Sequence, residues 1–214
     1  KVTAQQLRDT ITPKTKLIMF SSPSNPTGML YTKEELCAIA DVLVENPHVF
    51  VMADEIYEHI NFVGKHESLA QFPEIKDRVI TINGVAKGYA MTGWRIGFIA
   101  ADAQIASACQ KLQGQITSGT CSIAQRATIK AMESSPAIWK DIETMRGIFM
   151  KRRDMVYKLL QEVPGFETRL PQGAFYFFPV VSSLYGKNVP ADSVYAEKFG
   201  KTTISNSTDL SMYL

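Results

Sequence analysis

The sequence predicts an α/β fold: a mostly parallel sheet flanked by helices, followed by a smaller α+β region. Three observations carry this. Short apolar runs alternate with helical segments through the first half, the pattern of strands joined by crossover helices. Those runs are apolar without alternation, which predicts strands buried on both faces. Late in the chain two further apolar runs flank Pro171-Gln172-Gly173, the mark of a local antiparallel pair.

Each element follows in order. Thr15 to Phe20 reads as a buried strand, ended by the turn-forming cluster Ser21 to Gly28. Thr32-x-x-Glu35 is a capping box, so Thr32 is the N-cap of a helix running to about Glu45. Leu36, Ile39, Ala40 and Leu43 lie on one face of it, and Pro47 marks its exit. Val49 to Ala53 is a second strand, ending on the acids Asp54 and Glu55; Arg78 to Asn83 is a third and Ile96 to Ala100 a fourth. Helices are predicted from Asp102 to about Gln113, from Ser122 to Met132, and from Pro136 to about Val163, where Pro164-Gly165 stops the last. Phe166 to Leu170 and Ala174 to Val181 read as the antiparallel pair, and Asp192 to Phe199 as a short helix. Local β-structure after a run of helices predicts a second, smaller domain, residues 153–214, after residues 1–152.

Composition bounds the function. The chain has 214 residues, 45% hydrophobic and 21% charged, with a formal net charge of +2. That is ordinary globular composition with enough apolar surface for a core. A charge near zero gives no electrostatic case for nucleic acid or an anionic membrane. No apolar run reaches the length of a spanning helix. Cys37, Cys109 and Cys121 form no C-x-x-C pair, which argues against a disulfide framework, for a reducing, cytoplasmic setting, and for three small buried side chains. His48, His59 and His66 lack metal-ligand spacing and are expected to be solvated or to sit at helix ends; no metal is expected.

Polar residues gather just past the predicted strand ends. Asn25 lies in Asn-Pro-Thr-Gly after the first strand; Asp54 ends the second, with Tyr57 three residues on; Lys87 follows the third and Arg95 precedes the fourth. In an open α/β sheet ligands bind at the carboxyl ends of strands, so Asn25, Asp54 and Lys87 are expected to converge. Each has an ordinary explanation alone: a helix cap, a turn initiator, a core aromatic, a surface lysine, a structural ion pair. Together they match the needs of pyridoxal 5′-phosphate. A lysine amine condenses with its aldehyde, a carboxylate keeps its ring nitrogen protonated, a guanidinium grips its phosphate, and an amide and a phenol donate to its phenolic oxygen.

The segments Ser22–Gly28 (S-P-S-N-P-T-G), Ala53–Tyr57 (A-D-E-I-Y) and Ala86–Gly97 (A-K-G-Y-A-M-T-G-W-R-I-G) resemble the active-site segments of class I/II aminotransferases, enzymes of fold type I, most of all bacterial aspartate aminotransferases. Gln172–Pro179 (Q-G-A-F-Y-F-F-P) is similar to that family's small-domain strand. The resemblance implies that Lys87 is the Schiff-base lysine, Asp54 the partner of the pyridine nitrogen, Tyr57 and Asn25 the ligands of the phenolic oxygen, and Arg95 the phosphate ligand. It implies ping-pong transfer of an amino group between an amino acid, aspartate or similar, and a 2-oxo acid, in a cytoplasmic homodimer. Gly88, Gly93 and Gly97 are candidates for close backbone approach, and Gln115–Ser122 resembles a segment near the dimer interface. Gly84 and Ala86 stand where many relatives have a serine hydroxyl for the phosphate. The resemblance also implies an internal fragment that lacks the phosphate loop, the ring-stacking aromatic and the carboxylate-binding arginine, and is inactive alone. Two other readings fit the same residues: a lyase on the same fold, and the cofactor-binding effector domain of a transcription regulator.

Overall fold

The computed structural model describes residues 1–133 and 135–214. Four strands form one sheet in the order β1 (Leu17–Ser21), β2 (Phe50–Asp54), β3 (Val79–Gly84), β4 (Gly97–Ala100). β1 pairs with β2, and β2 with β3, in parallel; β4 returns antiparallel to β3. The parallel pairs need crossovers, and the first is helix α2 (Lys33–Glu45). The Thr32 hydroxyl accepts from Glu35 N–H while the Glu35 carboxylate accepts from Thr32 N–H, so the predicted capping box is formed. Leu36, Ile39, Ala40 and Leu43 pack with Val49, Val51, Leu69, Ile75 and Val79 into the main core. Arg78 ties the crossover to the sheet, donating to the carbonyls of Leu43, Asn46 and Val49. Ahead of β1, helix α1 (Ala4–Thr10) starts at a second capping box, Thr3 with Gln6.

The sheet is not buried on both faces. Val51 and Val79 pack into the α2 core, whereas on the opposite face Met19 is 70% exposed and Leu17 and Phe50 are also exposed; on β4 the adjacent Phe98 and Ile99, which point to opposite faces, are both exposed. The expectation of two buried faces is therefore corrected.

After β4 come helices α3 (Ala103–Thr117), α4 (Ser122–Met132) and α5 (Pro136–Gln161). The chain divides into two compact units: residues Lys1–Met150 with Pro171–Tyr176, and Lys151–Leu170 with Phe177–Leu214. Within the second, Val189, Tyr195, Ile204 and Leu210 form a small core around α6 (Val194–Phe199) and α7 (Ser207–Tyr213), and the buried Asp209 carboxylate pairs with Lys201 at 3.1 Å.

The predicted hairpin of 166–170 with 174–181 is reduced to one antiparallel bridge, Glu167 with Val180. Its turn is engaged elsewhere. Gln172 and Gly173 N–H both donate to the Gly28 carbonyl, Phe62 N–H donates to Gln172, and Ala174 N–H donates to Ile60. Gly28 sits at φ +66°, and a Cβ there would come within 2.6 Å of Pro171 Cβ, so glycine is required by both conformation and space. The cysteines are also corrected: Cys37, Cys109 and Cys121 are all exposed, because α2 turns Cys37 away from its core and α3 buries none of its residues. Of the histidines, His48 is exposed, but His66 bonds the buried Glu55 carboxylate at 2.9 Å and His59 packs edge-on against Tyr89 and Trp139. Burial holds the His59 imidazolium below its ordinary pKa. No helix among the described residues is long and apolar enough to cross a membrane.

Candidate active site

The carboxyl ends of β1, β2 and β3 lie side by side, Ser21 opposite Asp54 and Asp54 opposite Ile82. Asp54 is half-buried. Its carbonyl accepts from Ser22 N–H at 3.1 Å, and Oδ1 accepts from Ile56 N–H at 3.1 Å, which orients the carboxylate at the strand exit. The turn after Asp54 carries Tyr57 inward, where it is 3% exposed. Burial first, with the charge of Asp54 adding to it, pushes the Tyr57 phenol above its ordinary pKa.

Asn25 is exposed in the turn after β1, in a stretch with cis peptides before Pro23 and Pro26, and its N–H meets Ser21 Oγ at 3.4 Å. Its side-chain Nδ2 donates to the Tyr176 hydroxyl at 3.4 Å, and that hydroxyl lies 2.5 Å from the Tyr57 hydroxyl. Lys87 follows β3 by three residues and is half-buried, with Nζ 5.7 Å from the centre of the Phe175 ring. Phe175 in turn meets Tyr57 edge-on at 5.3 Å and stacks on Phe149. Asn25, Tyr57 and Lys87 are thus gathered around Phe175–Tyr176, with Asp54 beside them in the chain.

Arg95 stands apart from that cluster. It is exposed, in the left-handed region at φ 56°, and Nη1 donates to Thr92 carbonyl at 3.0 Å. Neither Arg95 nor Lys87 forms an ion pair among the described residues, so Arg95 is not explained as a structural ion-pair partner. A non-glycine residue held at positive φ costs free energy on the order of 1 kcal/mol or more and is commonest at functional sites. Of the three glycines singled out, Gly88 is tightly approached, since a Cβ there would lie 2.6 Å from the His59 ring; Gly93 has open space and Gly97 only ordinary contact.

Phe175 and Tyr176 were missed as site residues by the sequence reading, which placed them on a hairpin strand. The only local signal, an aromatic run after a glycine, is equally the mark of a core strand. An apolar groove of about 580 Å³ between α1 and β1, lined by Leu7, Ile11 and Met19 among others, has no charged group and is separate from the cluster.

The donor chemistry fits pyridoxal phosphate. A lysine amine can condense with an aldehyde, and a backbone-oriented carboxylate can face a ring nitrogen. A phenol and an amide can donate to an anionic ring oxygen, and an unpaired guanidinium can meet a phosphate. Among the described residues no group of three His, Cys, Asp or Glu side chains could hold a metal ion.

Comparison with known proteins agrees with this chemistry. Residues 1–205 match the family described as aminotransferase class I and II. A probable aspartate/prephenate aminotransferase of Rhizobium leguminosarum bv. phaseoli is 44% identical over 197 residues, covering 91% of this chain and 48% of that protein. An aspartate aminotransferase of Geobacillus stearothermophilus is 46% identical over 181 residues, covering 84% of this chain and 45% of its own length. Among solved structures, an aspartate aminotransferase from Rhizobium meliloti superposes with a TM-score of 0.85 at 35% identity, over 98% of this chain and 50% of that one. The chain spans about half the length of the relatives it matches.

Proposed function

The chain belongs to the class I and II aminotransferases, of fold type I, and from that membership we propose that the whole protein is a pyridoxal 5′-phosphate-dependent aminotransferase. It exchanges an amino group between an amino acid, aspartate or one like it, and a 2-oxo acid. The observation that carries the reading is the gathering of Asn25, Tyr57 and Lys87 around Phe175–Tyr176, next to Asp54 at the carboxyl end of β2. The names of the relatives support aspartate as the amino donor and prephenate as a possible acceptor.

When bound, the cofactor supplies an aldehyde that condenses with amines and a ring that holds the electron pair freed at the substrate carbon. Lys87 Nζ would hold it covalently, and as a free amine would take a proton from the substrate α-carbon and later deliver one, acting as base and then acid. Asp54, with Oδ1 held by Ile56, offers its second oxygen to keep the ring nitrogen protonated. Asn25 Nδ2 and the Tyr57 hydroxyl donate to the ring's phenolic oxygen. The elevated Tyr57 pKa keeps its proton in place for this. The Arg95 guanidinium would supply the positive charge for the phosphate.

In this reading residues 1–152 belong to the large cofactor-binding domain and residues 153–214 to the small domain. The whole protein is a cytoplasmic homodimer, consistent with three free cysteines. The 214 residues alone lack useful turnover. The test is borohydride reduction of the full-length protein with cofactor, followed by peptide mapping. The label is expected on Lys87, and Lys87→Ala is expected to lose turnover by roughly 10⁴-fold or more. A label on another lysine, or normal exchange in the variant, overturns the reading.

A further inference from the structure

The two groups assigned to the cofactor's phenolic oxygen, Asn25 and Tyr57, are also bonded to one side chain of this chain, the hydroxyl of Tyr176. The Tyr57 and Tyr176 hydroxyls are 2.5 Å apart, and Asn25 Nδ2 reaches the Tyr176 oxygen at 3.4 Å. Tyr176 is brought there by the return of Pro171–Tyr176 onto the Gly28 turn, and its ring packs edge-on against Tyr57 at 5.7 Å.

Proton counting leaves this contact two orders. An amide nitrogen donates and does not accept. With Asn25 Nδ2 donating to it, the Tyr176 oxygen is an acceptor on that side and keeps one proton and one lone pair for Tyr57. Tyr57 also has one proton. If Tyr57 accepts from Tyr176, its own proton is free to point away, toward a third oxygen, and each bond polarises the next. The reverse order, Tyr57 donating to Tyr176, would spend the one proton that Tyr57 has.

Resting on the function proposed above, we infer that Tyr176 is a positioning residue that fixes Tyr57 as a hydrogen-bond donor to the phenolic oxygen of pyridoxal phosphate. It touches Tyr57 and Asn25 and acts through them. A Tyr57 proton committed to that oxygen stabilises its anionic form and so lowers the proton affinity of the nitrogen joining lysine to cofactor. Without Tyr176, Tyr57 rotates between acceptors and donates to the cofactor only part of the time.

The test uses the full-length protein loaded with pyridoxal phosphate. It compares Tyr57→Phe, Tyr176→Phe and the double variant, reading the pH midpoint of the bound cofactor's visible absorption band. Each phenylalanine removes one oxygen and keeps the ring packing, so a change reports the hydroxyl rather than the fold. Tyr176→Phe is expected to raise the proton affinity at that nitrogen about threefold, Tyr57→Phe to raise it more, and the double variant to match Tyr57→Phe alone. A shift for Tyr57→Phe with none for Tyr176→Phe overturns the inference and leaves the proposed function standing. Shifts that add in the double variant also overturn it, because Tyr176 would then act without Tyr57. If the wild-type protein shows no such band and no borohydride label at Lys87, the proposed function and the inference fail together.

Discussion

Helices α2 and α3 begin alike and end differently. Both are amphipathic, and both start at a capping side chain, Thr32 for α2 and Asp102 for α3. Yet α2 buries Leu36, Ile39, Ala40, Val42 and Leu43, while α3 buries none of its residues. Leu112 and Ile116 of α3 are 62% and 69% exposed. The apolar stripe of α2 lies over a sheet face whose Val51 and Val79 are buried against it; the stripe of α3 meets nothing comparable among the described residues. Amphipathicity states that a helix has a face to bury, and it is silent on what buries it. The proposed chemistry follows the carboxyl ends of β1, β2 and β3, strands that contribute Ile18, Phe20, Val51 and Val79 to that packed core.

The strongest way to break this comparison is a matched pair of truncations. In the 214-residue chain, Leu43→Ala should cost about 2–5 kcal/mol in urea unfolding, as for fully buried leucines, while Leu112→Ala should stay within about 0.5 kcal/mol. Equal costs would end the contrast. Repeating the pair in the full-length protein sharpens it: a cost for Leu112→Ala that appears only there would identify a covering surface outside these residues. A smaller effect is expected at the clamp that joins α2 to the sheet. Arg78→Ala removes a charged donor from three carbonyls and should cost about 2 kcal/mol, measured the same way; no change would mean that water replaces the guanidinium freely. Smallest is the cap. Thr32→Ala should cost about 1 kcal/mol, and a thermal melt indistinguishable from wild type would show that tertiary packing alone holds the start of α2.

Much of this was legible. The capping box at Thr32 placed α2, and the four strands fell within a residue or two of their sequence positions, because caps and apolar runs are local signals. Asn25, Asp54, Tyr57, Lys87 and Arg95 were legible as a set because each follows or precedes a strand end. The second sheet face, the cysteines and the hairpin were not. Burial depends on which elements arrive from elsewhere, and the Pro171-Gln172-Gly173 turn found better partners in Gly28, Phe62 and Ile60 than in its own flanks.

What the sequence determined by itself is the order of elements and the identity of the groups proposed to react: an amine at 87, a carboxylate at 54, a guanidinium at 95. These rest on side-chain chemistry and on interactions within a few residues. Only the tertiary structure decided that Tyr176 meets Tyr57, 119 residues away, and that Phe175 stands between Tyr57 and Lys87. A contact between distant segments is set by backbone bonds that join those segments, here Ala174 to Ile60 and Gln172 and Gly173 to Gly28, and leaves no trace in the local sequence pattern of either.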